Sequence, residues 1–588
     1  MNNYRLNKAD DAKEREKSVL GTAWKRLVPL MMEEKRSVII ALVAILITSI
    51  ASLVVPIIIA RVVDVYIKTK DFSGVIFFAG VLLVVFIIWL ISNYVQIRTM
   101  GGVGRRVLFS LRNMIFSKIE ELPVGFFNQN KAGDLISRIN NDTDKLNQFF
   151  AQALMQFIGN LVLIVGAGIF LIVLSIKLGL VALIPAVVVL VITQIISPWV
   201  KKTSLRSLRS TGGLSGEIQE SLNNFKVIVA FNRLDYFREK FKESNETNYK
   251  ASISVGIASN IFIPIYTLAS ALAQLGVLAY GIYLISSGNF TIGLLIGFLL
   301  YVNSFYMPLR QLASVWSSLQ LALAGLDRIS EVLALKSNME VIREREGVSS
   351  SVLEFRKVRF RYSDGTDVLR DVSFNLEKGK TYALVGPTGG GKTTTASLMA
   401  RLYDPTDGTV FLSGKDIRSY EPHERVEKIG FILQEPFLFT GTVRENIIYG
   451  NKKYKKCSIE QLDEGLRRAG LEKLLARFPG GLDTVVSSSG NTLSLGQKQL
   501  IAFIRAVLRE PEILILDEAT ANIDTMTEQL LEEVLHKLPE FTTRVVIAHR
   551  LNTIENADEI FFVNGGEIKL AGNMEHAVEM LLHGKRQS

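Results

Sequence analysis

The chain has 588 residues, 48% of them hydrophobic and 21% charged, with a mean hydropathy of +0.27. That average is too apolar for a soluble protein of this length, excludes a disordered or fibrous chain, and with the length implies at least two domains in different solvents. The net charge of +10 fits nucleic acid, anionic lipid or basic membrane-protein loops, and a single cysteine, Cys457, excludes a disulfide framework or a cysteine-rich metal site.

Leu20, Trp24, Leu27 and Met31 recur at helical spacing beside Lys25, Arg26, Lys35 and Arg36, which predicts a helix lying on the inner leaflet. The first thirty residues hold no apolar core of signal-peptide type, so no cleavage is expected. Six apolar runs follow, at 38–63, 75–95, 151–175, 178–200, 255–286 and 290–323, each near the roughly 20 residues that cross a bilayer. The two long connections are basic: Arg98, Arg105, Arg106, Arg112, Lys118, Arg138 and Lys145 lie in one, and Lys201, Lys202, Arg206, Arg209, Lys226, Arg233, Arg238, Lys240 and Lys242 in the other. The positive-inside rule puts these loops and both termini in the cytoplasm.

Residues 1–328 thus read as an all-α transmembrane domain of six helices, 329–351 as a charged, Ser-rich linker, and 352–588 as a cytoplasmic α/β domain, which the P-loop at 386–393 marks as nucleotide-binding. In the last, short β-branched runs at 381–385, 429–433, 513–516, 544–548 and 560–563 alternate with polar helical stretches, which predicts a buried, mainly parallel sheet. Gly386-Pro387-Thr388-Gly389-Gly390-Gly391-Lys392-Thr393 matches the P-loop pattern directly after the first of these strands and before a helix starting at Thr394. Its glycines let backbone N–H groups curl around phosphates, Lys392 supplies a point charge, and Thr393 is expected to ligate Mg²⁺. A later apolar strand ends in Asp517 and Glu518, where such a sheet presents a Mg²⁺ ligand and a base that polarises the attacking water.

Between them, Leu493-Ser494-Leu495-Gly496-Gln497-Lys498-Gln499-Leu500 resembles the L-S-G-G-Q signature of the ATP-binding cassette (ABC) family, and the resemblance covers essentially the whole chain. It implies ATP and Mg²⁺ as cofactors. Tyr362 takes the place of the residue that stacks on adenine, Gln434 that of the Q-loop glutamine near the metal, Asp524 that of the D-loop aspartate, and His549 that of the switch histidine. The membrane half is similar to the exporter branch: Phe126-Phe127 followed by Gly133 to Asp142 resembles a first intracellular loop and Glu217 to Phe241 a second, with the turns near Gly133 and Asn224 expected to press into the nucleotide domain. Pro56 and Asp64 stand where the family places a proline and an aspartate.

In such exporters two cassettes close head to tail, so the P-loop of one chain and the signature of the other hold the same ATP. One chain is then half of a transporter in the cytoplasmic membrane, driven through alternating access by hydrolysis. Three departures from the pattern stand out. Leu495 replaces the first signature glycine, Ser488 replaces a glutamate, and Gly390 is expected to be a neutral variation on Ser or Ala. The first two resemble one subunit of heterodimeric bacterial exporters, whose partner is a different chain with a degenerate Walker B base. The alternatives are a homodimeric lipid flippase-type exporter and an ATP-gated channel or regulatory protein. No nucleic-acid partner is expected; membrane lipids and a small amphiphilic substrate (drug, lipid or peptide) are. Tyr266, Gln274, Tyr280, Phe298, Tyr301, Asn303, Phe305, Tyr306, Arg310 and Gln311 are candidate cavity residues, with Arg310 beside the helix-breaking Pro308.

Overall fold

Backbone groups inside a bilayer find no water to bond, so an apolar run that crosses one must be helical. The computed structural model describes residues 4–6, 32, 34–337, 339–343, 351–363, 365–455, 457–487, 493–517, 525–547, 556–572 and 574–584. Among them are six helices long and apolar enough to cross a membrane. The chain divides into two compact units, one of residues 7–120 and 132–334, the other of 1–6, 121–131 and 335–588. The segment with Leu20 to Met31 lies outside the described residues.

The first unit is built from α1 (Lys35–Arg61), α2 (Phe72–Glu120), a helical run from 132 that ends as α4 (Leu154–Leu174), α5 (Ile176–Asn223), the short α6 (Phe225–Ala230), α7 (Leu234–Asn260), α8 (Phe262–Ser286) and α9 (Ile292–Leu333); α3 (Val124–Gln129) belongs to the other unit. Several helices far outrun their apolar stretches. The 49 residues of α2 rise about 74 Å at 1.5 Å each, well over twice the roughly 30 Å hydrocarbon thickness, so its Arg105 to Lys118 part continues beyond the bilayer. The most apolar window of α2 has none of its residues buried, as befits a helix whose solvent is lipid. The core instead gathers small and aromatic side chains of the other spans, including Leu53, Ala167, Ala182, Ala273, Phe298 and Tyr301. Asp64 fixes the start of α9: its carboxylate accepts from the backbone N–H of Gly293 at 2.8 Å and of Leu294 at 3.2 Å, and from the Thr291 hydroxyl, which itself caps the helix. Pro308 does not break α9, which runs through it to Leu333; neighbouring helices re-satisfy what a proline frees in a membrane.

In the second unit the five β-branched runs are strands of one sheet. Its order is β12 (Glu567–Leu570), β11 (Glu559–Asn564), β3 (Thr381–Val385), β10 (Thr543–Ile547), β9 (Ile513–Asp517), β6 (Ile429–Ile432), and all pairs but β11 with β12 are parallel. A second, antiparallel sheet holds β2 (Asp367–Leu376), β1 (Leu353–Arg361), β4 (Asp407–Leu412) and β5 (Lys415–Asp416), and a two-stranded one pairs β7 (Gly441–Thr442) with β8 (Val485–Val486). Between the sheets lies a core with Phe355, Phe360, Leu384, Met399 and Val545.

Candidate nucleotide-binding site

Ligands of a parallel sheet sit outside the carboxyl ends of its strands, and there the chain leaves β3 at Val385, forms the loop 386–391 and re-enters as the helix α10 (Lys392–Met399). Gly386 has φ +147°, and a Cβ on it would lie 2.0 Å from the carbonyl oxygen of Val563 in β11. At Gly390 a Cβ would come within 2.6 Å of the same oxygen, so Ser or Ala there would require the loop to shift, while glycine is accommodated. Lys392 is 6% exposed, and its Nζ donates to the carbonyls of Gly386 at 2.8 Å and Pro387 at 3.1 Å. The ammonium is therefore held over the start of α10, where free N–H groups already favour an anion.

Asp517 closes β9, is 2% exposed, and its Oδ1 lies 3.4 Å from the Thr393 hydroxyl. That is long for a hydroxyl hydrogen bond. The spacing leaves Thr393 and Asp517 close enough to serve one Mg²⁺, with Asp517 acting through the ion's hydration shell.

Tyr362, one residue past β1, has its hydroxyl 3.0 Å from the Thr394 hydroxyl on α10. Its ring packs edge-on against Phe360, at 4.8 Å between centroids, and against Tyr403, at 5.6 Å. Burial pushes the Tyr403 hydroxyl above the ordinary phenol range, with the neighbouring Tyr362 adding to the shift. That hydroxyl accepts from Nδ2 of Asn128, on α3, at 2.6 Å. Tyr403 and Asn128 were not foreseen; α3 lies just upstream of the turn at Gly133, and it is α3 that joins the nucleotide unit while Gly133 stays with the membrane unit. Gln434 is exposed two residues past β6, whose Ile432 pairs with Leu516, so the chain leaves the sheet there beside the strand ending in Asp517. Glu518, Asp524, His549 and Ser488 lie outside the described residues.

Two family models match the chain: the ABC transporter transmembrane region over residues 38–309 and the ABC transporter model over 369–521. An ABC transporter ATP-binding protein of Bacillus subtilis, itself uncharacterized, is 33% identical over 577 residues, 97% of this chain and 95% of the relative. A fatty acid ABC transporter ATP-binding/permease protein of Mycobacterium tuberculosis is 32% identical over 86% of this chain and 79% of its own length. A multidrug resistance ABC transporter ATP-binding and permease protein of Lactococcus lactis is 32% identical over 82% of this chain and 81% of its own length. The chain belongs to the ABC transporter family. It is a multi-pass membrane protein of the exporter type that couples ATP hydrolysis to transport.

The ABC signature stands at the start of a separate helix, α11 (Leu495–Val507). Ser494 and Gln497 form a reciprocal capping box: Gln497 N–H donates to Ser494 Oγ at 3.2 Å and Ser494 N–H to Gln497 Oε1 at 3.0 Å, while Gln497 Nε2 donates to the Arg477 carbonyl at 3.2 Å. Leu495 is 43% exposed, and Gly496 follows it in the first turn. Among the described residues no hydrogen bond joins 494–497 to the P-loop of the same chain.

In the membrane half of this ABC exporter the aromatic candidates are mostly structural. Tyr266, Phe298, Tyr301, Phe305 and Tyr306 are core residues, with the hydroxyl of Tyr301 donating to the Leu53 carbonyl and that of Tyr306 to the Ala182 carbonyl at 2.8 Å. Gln274 bonds Ser270 one turn away, and Tyr280 stacks on Tyr283. Arg310 is half-buried. The rise of α9 puts it about 27 Å from Ile292, at the far interface, where an arginine can reach water. The loop near Asn224 keeps an apolar face open: on α6, Phe225, Val227 and Val229 are each at least 50% exposed while Ile228 is buried.

Proposed function

We propose that the chain is one half of an ATP-driven exporter of an amphiphilic substrate, and that each of its ATP sites is completed by a second half-transporter. The observation that carries this reading is the placement of Ser494 and Leu495 on an exposed helix start with no bond to the chain's own P-loop. A signature so placed is free to serve a nucleotide held by another cassette. Within this chain's site, Lys392, the 386–391 backbone and the start of α10 would hold the phosphates, Tyr362 the adenine, and Thr393, Asp517 and Gln434 the Mg²⁺, which when bound supplies charge neutralisation at the phosphates. Glu518 would polarise the attacking water and His549 would contact the terminal phosphate, with Asp524 at the cassette interface. Closure of two cassettes would then drive the membrane helices between accesses.

The basic loops support an orientation with the nucleotide domain and both termini in the cytoplasm. The fatty acid and multidrug names of the relatives support an amphiphilic substrate class. So does a cavity of about 340 Å³ in the membrane unit, with Ile57, Leu174 and Leu294 apolar and Arg61, Asp64 and Thr291 polar.

The partner is proposed to be a different chain, one with an intact signature and a defective base. A leucine at 495 crowds the approach of helix N–H groups to a phosphate, whereas Asp517 and Glu518 keep this chain's own site equipped. Leu495→Gly in the assembled heterodimer then alters only the slow site. Turnover should change by no more than a few fold, less than about 1 kcal/mol in barrier. In a homodimer both sites carry Leu495, and the same change should raise the rate clearly. Expression of the chain alone decides: a stable, substrate-stimulated ATPase made only of this chain would overturn the heterodimer.

A further inference from the structure

The first residues of the chain are polar and carry no periodicity, so nothing obliges them to pack. Yet Tyr4 is 1% exposed and Leu6 8%. The Tyr4 ring meets Phe126 of α3 edge-on at 6.4 Å between centroids, and Phe126 is itself fully buried. Tyr4 N–H donates to Gln129 Oε1 at 2.9 Å, and its hydroxyl donates to the Lys336 carbonyl at 3.2 Å. Asn130 reads the backbone with both ends of its amide: Nδ2 donates to the Tyr4 carbonyl at 3.0 Å and Oδ1 accepts from Leu6 N–H at 3.0 Å. The same Nδ2 also donates to the Phe126 carbonyl at 2.8 Å, which fixes the end of α3. Three residues are thus ordered by five specific contacts, more than a frayed terminus makes.

These contacts bear on the nucleotide site through a short chain of neighbours within one compact unit. Two residues from Phe126, Asn128 donates to the Tyr403 hydroxyl at 2.6 Å. Tyr403 packs edge-on against Tyr362, and the Tyr362 hydroxyl meets Thr394 of α10 at 3.0 Å. Phe126, Gln129 and Asn130 hold Tyr4 on one side of α3 while Asn128 holds Tyr403 on the other. A shift of α3 therefore moves the support of Tyr362.

We propose that residues 4–6 form a strap that positions α3, and through Asn128 and Tyr403 the ring of Tyr362, so that Tyr4 is a positioning residue for ATP. The inference rests on Tyr362 being the adenine-stacking residue. It predicts that Tyr4 acts on nucleotide affinity and not on the chemical step. The test is steady-state ATPase kinetics of the full exporter assembly carrying Tyr4→Ala, Tyr4→Phe, Asn130→Ala or Tyr362→Ala. Tyr4→Ala and Asn130→Ala should raise KM for ATP by about threefold or more, as mutations along a coupled network do, with kcat kept within about twofold of wild type. Tyr4→Phe, which keeps the ring and loses the hydroxyl that donates to the Lys336 carbonyl, should restore most of the affinity. An unchanged KM in Tyr4→Ala, or a fall in kcat at unchanged KM, overturns the strap. Tyr362→Ala separates the two layers: if it leaves KM unchanged, the adenine assignment is what fails, and if it raises KM while Tyr4→Ala does not, only the strap is lost.

Discussion

Glu518→Gln is expected to leave ATP bound and to cut steady-state hydrolysis by at least about a hundredfold, the low end for loss of a general base. The expectation is built on its neighbour. Asp517 is 2% exposed at the end of β9, and its Oδ1 stands 3.4 Å from the Thr393 hydroxyl of the P-loop helix, so the residue that follows Asp517 leaves the sheet beside the P-loop. Glutamine keeps the shape of the side chain and removes its basicity, so binding and turnover should separate. Phosphate release from the purified assembly is the measurement, and near-normal turnover would refute the role of Glu518. Lys392→Ala should fail differently, by weakening nucleotide binding itself. Its ammonium is held by two loop carbonyls at 2.8 and 3.1 Å, at the loop whose backbone N–H groups favour an anion. Unchanged nucleotide affinity would count against that assignment.

Parts of this architecture were legible in sequence for a physical reason, and others were not. Strands buried on both faces read as unbroken β-branched runs, so the positions of β3, β6, β9, β10 and β11 were plain. The strands β1 and β2 were hidden because they alternate buried residues with charged ones. Arg359 and Arg361 pair across the sheet with Asp371 and Asp367, and those carboxylates are held below their ordinary range by the arginines beside them. The P-loop was visible because backbone geometry demands its glycines, but that Gly390 must also clear the Val563 carbonyl depends on a strand more than 170 residues away. Helix lengths were understated because hydropathy marks only the part of a helix that lipid solvates, and Pro308 was read as a breaker although α9 continues through it. Tyr301 does line the membrane-unit cavity while its hydroxyl bonds the Leu53 carbonyl, whereas Tyr306 is spent on the Ala182 carbonyl and is absent from that lining. Tyr4 gave no signal, since its partners Phe126, Gln129, Asn130 and Lys336 are far along the chain.

Arg138→Ala should be strongly destabilising to the membrane unit. Arg138 is fully buried in a π-helical turn, Arg138–Asp142, whose altered ladder leaves carbonyls to be satisfied from outside. Arg112 Nε lies 3.3 Å from the Ile139 carbonyl and supplies one such bond. Arg138 itself donates from Nε to Asp134 at 3.0 Å, from Nη1 to Glu331 on α9 at 3.0 Å, and to the Arg328 carbonyl. Arg328 in turn pairs with Asp134 and with Asp142 at 2.8 Å, and Lys145 with Asp142 at 2.8 Å. The cluster is balanced, with Arg138, Arg328 and Lys145 against Asp134, Asp142 and Glu331. Removing Arg138 takes one charge partner each from Asp134 and Glu331, whose side chains are 27% and 19% exposed, while Asp134 keeps Arg328. Because the carboxylates left behind are only partly buried, the cost should lie at the low end for a buried pair, about 3 kcal/mol, or a thermal midpoint lower by roughly 6 °C. A thermal-shift measurement in detergent checks it, with Arg138→Met plus Glu331→Gln as the second arm. If charge balance is what matters, the double variant should lie above the sum of its parts. A midpoint within about 2 °C of wild type for Arg138→Ala would mean that the arginine fills space there and little more.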